Sequence, residues 1–191
     1  MPDTITAQDQ GTTFTPHDEG QFAAACADVI DLGRRVEQYP GKPARVVPKC
    51  ALVFLTNSKG ETKEIGVEFT VTMGELAKLR QTLEAWRGKS YTPEQAAAGV
   101  PLHKLVGHAA LISVEHKRSA KGRTYAKLKT ISPLPDGLVA PMINGYTRAE
   151  FWAERKKQYA EEAARFQQTI VAKNEESLPD QPDDMDDSLP F

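Results

Sequence analysis

Four alternating residues of this 191-residue chain, Arg123, Tyr125, Lys127 and Lys129, put three cations and one aromatic ring on one side of an extended segment. Thr124, Ala126, Leu128 and Thr130 take the opposite side, where Ala126 and Leu128 are suited to a core. Cations spaced along a groove neutralise phosphates. An exposed ring stacks on an unpaired base at about 1–3 kcal/mol per base, whatever the sequence. The loop before this strand, running from His116 through Lys117, Arg118, Ser119, Ala120, Lys121 and Gly122 to Arg123, carries four cations and no acid. A second basic cluster, Arg34, Arg35, Tyr39, Lys42 and Arg45, follows the first apolar stretch, with Lys49 just beyond it. A third group, Arg87, Lys89 and Tyr91, follows Trp86. Trp86 completes the apolar face of Leu76, Leu79 and Leu83, and a stacking platform is its alternative role. The cations with Tyr39 and Tyr125 are the nucleic-acid-binding candidates.

Other chemistries find little support. His103, His108 and His116 have no zinc-like spacing to one another or to Cys26 and Cys50, and two cysteines are too few for a disulfide framework. There is no GxxxxGK[ST] loop, GxSxG elbow or HExxH pair, and Asp28 and Asp31 lack a second carboxylate cluster for magnesium. The expectation is a non-enzymatic protein with no catalytic residue, metal or cofactor. Neither a recognition helix nor a zinc finger suits a duplex, so single-stranded nucleic acid is the favoured ligand.

The elements must bring the basic segments together. Residues 1–20 show no periodicity and are expected to be a disordered leader. Strand patterns follow over 21–33, over 44–56 (Val46, Pro48, Cys50, Leu52 and Phe54 on one face, Arg45, Val47 and Lys49 on the other) and over 63–71, where Ile65, Val67, Phe69 and Val71 point inward. Thr72 with Glu75, and Thr92 with Gln95, have capping-box spacing for two helices that end at Gly88 and Gly99. Two further strands run through VGHAALISVEHK and GRTYAKLKTISPL. Three strands, a helical insertion and two strands is the element order of a five-stranded OB-fold barrel, which binds oligonucleotides on its strand 2–3 face and its 1–2 and 4–5 loops. The expected fold is therefore mainly β with helices, the OB-fold domain covering 21–141. A C-terminal amphipathic helix over 142–173 begins near Thr147 and Glu150. Its stripe of Trp152, Tyr159, Ala163, Phe166 and Ile170 docks on the barrel or on another subunit, leaving homo-oligomers open.

Charge divides along the same lines. Residues 21–173 hold all 24 Lys and Arg against 15 acids, while residues 174–191 hold seven acids and no base. This asymmetry suits a polyanion-binding body with a disordered acidic tail. No apolar run is long enough for a membrane span and no secretory signal is visible, so a cytoplasmic protein without membrane contacts is expected.

The final residues, Asp183, Asp184, Met185, Asp186, Asp187, Ser188, Leu189, Pro190 and Phe191, closely resemble the tip of bacterial single-stranded DNA-binding proteins, an acidic run ending in an aliphatic residue, Pro and Phe. Ser188 interrupts the acids. Over roughly residues 20–140 the segments LRQTLEAWRGKSYTPEQ, LVGHAALISVEHK and ISPLP resemble bacteriophage proteins of that class. The resemblance implies that the chain coats single-stranded DNA during replication, recombination or repair, in the bacterial or phage-host cytoplasm. It also implies that the tip recruits replication and recombination enzymes: a small apolar pocket with a basic rim would hold Phe191, and the acids would steer the approach. A strand-annealing mediator and a single-stranded RNA-binding regulator are the alternative functions.

Overall fold

Alternating apolar residues on either side of Asn57, Ser58, Lys59 and Gly60 require a tight hairpin. In the computed structural model, which describes residues 16–120 and 122–176 with side chains to residue 170, β2 (Arg45–Ser58) turns into β3 (Glu61–Thr70) through Lys59 and Gly60. Both have positive φ, at 51° and 83°, the left-handed geometry that two-residue hairpins use. With β1 (Gly20–Glu37), β4 (Ala109–Arg118) and β5 (Thr124–Ser132) they form one antiparallel sheet in the order β3-β2-β1-β4-β5. β1 pairs with β4 from Gly20↔Val114 to Ala25↔Ala109. β4 pairs with β5 from Leu111↔Ser132 to Arg118↔Thr124. The insertion between β3 and β4 holds α1 (Lys78–Arg87), α2 (Pro93–Ala98) and a 3-10 turn at Leu102–Leu105, and α3 (Glu150–Glu176) follows β5.

Packing divides the described residues into two units, one of those up to 31 and from 50 to 148, the other of those from 32 to 49 and from 149 onward. In the first, Cys26, Leu52, Phe54, Phe69, Ile112 and Leu128 from all five strands meet Leu79, Leu83 and Trp86 of α1 in a continuous core. Burying each large side chain there contributes about 1.5–3 kcal/mol. The Trp86 indole N–H donates to the Ala109 carbonyl at 2.8 Å, and its ring meets Phe54 edge-on with centroids 5.4 Å apart. Trp86 is thus a core residue. α1 packs against both edge strands, β3 and β5. Burial pushes the Cys26 thiol up to about 12, so it stays protonated at neutral pH, and Cys50 is buried as well.

Several local expectations are corrected. The helix expected from Thr72 starts instead at Lys78, because Met73 gives its carbonyl to the Arg80 guanidinium and Gly74 closes a turn with the Ala77 N–H. Leu76 is therefore 91% exposed rather than on the apolar face, and Val71 lies beyond the end of β3 and is exposed. The second capping box forms as expected: Thr92 Oγ1 accepts from the Gln95 N–H, and the Gln95 side chain accepts from the Thr92 N–H. Residues 16–20, grouped with the leader on sequence, are anchored. His17 Nε2 lies 2.6 Å from Thr56 Oγ1, and the Asp18 carboxylate accepts from Ser58, Lys59 and Lys63. The rest of the leader, residues 1–15, lies outside the described residues, as does the tail from 177.

β2 is buried on both faces. Leu52 and Phe54 enter the core while Ala51 and Val53, pointing the other way, have no exposure. After β5 the chain returns to the sheet, where the Arg148 guanidinium donates twice to the Asp28 carboxylate, at 2.7 and 2.9 Å. Tyr146 sits close by, its phenol pushed up to about 12, first by burial and then by the Glu64 and Asp28 carboxylates. A strand 2–3 binding face, as expected from the sequence, is therefore closed at β2.

In the second unit the outer ends of β1 and β2 are joined by a turn in which the Lys42 N–H donates to the Tyr39 carbonyl. Trp152, Tyr159 and Ala163 of α3 are buried, Phe166 is half-buried and Ile170 is exposed. Arg35 stacks over Tyr159 at 4.9 Å and approaches Glu162 at 3.8 Å, so the apolar stripe of α3 lies against the outer hairpin. No helix among the described residues is long and apolar enough to cross a membrane.

Candidate nucleic-acid interface

β4 and β5 build the first part of the interface. The register sets Glu115 opposite Lys127 and Lys117 opposite Tyr125. Tyr125 is 43% exposed, and Lys117, Lys127 and Lys129 are exposed beside it. The period-2 pattern holds through Leu128 and then breaks. Ser113 pairs with Thr130 but Val114 pairs with Leu128, so Lys129 is an extra, bulged residue. Thr130, expected to face inward, is consequently exposed, and Ile131 takes the core position.

The connecting hairpin is held by its own backbone. The Ser119 N–H donates to the Arg123 carbonyl at 2.8 Å, the Gly122 N–H donates to the Ser119 carbonyl at 2.9 Å, and Ser119 Oγ accepts from the Arg123 N–H at 3.1 Å. Gly122 has φ 78°, which a side chain would strain. Arg118 and Arg123 are exposed at this end. Lys121 lies outside the described residues.

Two acids stand beside these cations, Glu115 and Glu19, and Glu19 accepts from the His116 N–H at 2.6 Å. Glu115 is 3.2 Å from Lys117 and 3.9 Å from Lys129. Exposed pairs of this kind are worth about 0–1 kcal/mol, so the two lysines remain available to a polyanion. Five described cations, Lys117, Arg118, Arg123, Lys127 and Lys129, outnumber these two acids and leave this end of the sheet positive.

The second unit carries a separate cationic site. Tyr39, Lys42, Pro43 and Arg45 line a cavity of about 430 Å³, with the Arg45 guanidinium 5.7 Å from the centre of the Tyr39 ring. Tyr39 is 48% exposed and its hydroxyl donates to Glu37 at 3.0 Å. Lys49 is the correction in this group. It is 8% exposed and its ammonium donates to Glu37 at 2.6 Å, because Val47 and Lys49, not Val46 and Pro48, take the covered side of β2 here. A phosphate would have to displace that carboxylate in a dry setting.

Arg87 and Lys89 are exposed, and Arg87 faces a different surface from the β5 cations. Arg87 stacks on Tyr91 at 4.1 Å and, with Trp86, Lys104 and His108, lines a cavity of about 570 Å³ to which no β5 cation contributes. Among the described residues no group of His, Cys, Asp and Glu side chains is placed to hold a metal ion. The tip candidates Asp183, Asp184, Asp186, Asp187, Leu189, Pro190 and Phe191 lie outside the described residues. In the three comparisons made with known proteins, no family model, curated protein or solved structure matches this chain.

Proposed function

We propose that this chain is a non-enzymatic single-stranded DNA-binding protein with an OB-type body, which coats unpaired strands and recruits partner enzymes through Asp183–Phe191. The observation that carries the reading is the outward side of the β4–β5 hairpin, where Tyr125 is exposed among Lys117, Arg118, Arg123, Lys127 and Lys129. The ring supplies a stacking platform and the cations track a phosphate backbone, the two components that sequence-tolerant single-strand binding needs. The OB assignment is supported by the helical insertion after β3 and by the two edge strands, β3 and β5, lying against one another beside α1 where such a barrel would close. Tyr39, Lys42 and Arg45 offer a second contact of the same chemistry, and the tail assignment rests on its resemblance to the bacterial tip.

Titration of the full chain with a fluorescent oligo-dT at several salt concentrations tests the reading. Five simultaneous phosphate contacts at about 0.7 each give a slope near −3.5 in log K against log salt. A flat response contradicts it. Tighter binding of oligo-U than of oligo-dT would favour an RNA ligand instead.

A further inference from the structure

We infer that the slot between α1 and β5 is a base-binding subsite, in which one unpaired base seats against Phe69 while Lys78 and Lys129 hold the adjacent phosphates. This inference rests on the single-strand reading above. The slot is a cavity of about 210 Å³ lined by side chains of β3, α1 and β5. Its apolar wall includes Phe69, 3% exposed. Its polar lining includes Gln81, Thr82 and Thr130, none of whose side chains hydrogen-bonds to a described residue. Lys78 makes no ion pair with a described residue, and Lys129 makes only the 3.9 Å contact with Glu115.

Two local features of the chain put them there. Lys78, Gln81 and Thr82 recur at i, i+3 and i+4 on α1, one stripe beside the buried Leu79, Leu83 and Trp86. The bulge at Lys129 turns Lys129 and Thr130 outward together, so β5 presents a cation and a hydroxyl at the same edge. An amide and two hydroxyls each both donate and accept, which matches the mixed edge of a base without demanding a particular one. Drug-sized ligands occupy about 300–1,000 Å³, so this slot suits a smaller group such as a single base. A duplex has no extruded base to offer it.

Full-length protein is bound to oligo-dT carrying one 4-thiothymidine and irradiated, and the crosslinked peptides are mapped by mass spectrometry. Crosslinks are expected within residues 78–82 or at 129–130. Anisotropy titration should show Lys78→Gln with Gln81→Ala binding about tenfold more weakly, with the salt slope reduced by about 0.7. Both positions are exposed, and the crosslinking needs no substitution, so the test does not depend on how a variant folds. Unchanged affinity in that variant, with crosslinks confined to 117–127 and salt-dependent wild-type binding intact, overturns the subsite and leaves the single-strand reading standing. Wild-type protein that binds no oligo-dT removes both.

Discussion

Glu115 determines how the charged side chains of the interface behave. It lies 3.2 Å from Lys117 and 3.9 Å from Lys129, and both lysines stay exposed. Exchange of the half-buried Glu115 carboxylate for a phosphate would cost little, because its lysine partners are exposed and such pairs are worth about 0–1 kcal/mol. In the proposed function Tyr125 would add what the cations lack, a surface for base stacking. Tyr125→Ala is expected to weaken oligo-dT binding by about 1–3 kcal/mol in a fluorescence titration, with an unchanged melting temperature. This half-exposed side was readable because Arg123, Tyr125 and Lys127 follow the strand period. Thr130 was misread because a bulge breaks that period and leaves no mark in spacing. Lys49 was misread for a related reason: its partner Glu37 is brought to it by the β1–β2 hairpin, and alternation says nothing of which charges a hairpin joins.

Individual elements are held by polar clamps that differ in how visible they are in sequence. The Thr92–Gln95 box was legible because both its bonds are local. The Thr72–Glu75 spacing fails because Arg80, a full turn further on, takes the Met73 carbonyl and also donates to Glu84 and to the Tyr91 carbonyl. Asp18 was not legible at all, since its partners lie forty or more residues away on the β2–β3 hairpin. Lys59, Lys63 and Ser58 all donate to its carboxylate, which holds it well below the ordinary aspartate value of 3.8. An acid depressed in the fold stabilises it above the ordinary value and loses that contribution as pH falls below it. Asp18→Asn should therefore melt lower than wild type at neutral pH, and the gap should close as the pH drops below 3.8. A gap that widens in acid would contradict the clamp.

Across the whole molecule, charge is segregated along the chain, with a basic body between acidic ends. In the proposed function a tail with seven acids and no base would be a polyanion competing for the same cations. Removal of Asp183–Phe191 is expected to tighten oligo-dT binding, most at low salt, in the same titration. Weaker binding by the shortened chain would argue against self-screening. Element order was legible from period and turn chemistry, but the burial of β2 on both faces was not. That burial comes from packing between segments distant in sequence, which the period of a strand does not report, and in the proposed reading the open surface lies on strands 4 and 5. Hydrogen exchange followed by mass spectrometry, with and without oligo-dT, tests that placement most directly. Protection gained across residues 113–130 with little change in 51–56 is the predicted result. Protection centred on 51–70, with 113–130 exchanging as in the unbound protein, would contradict it.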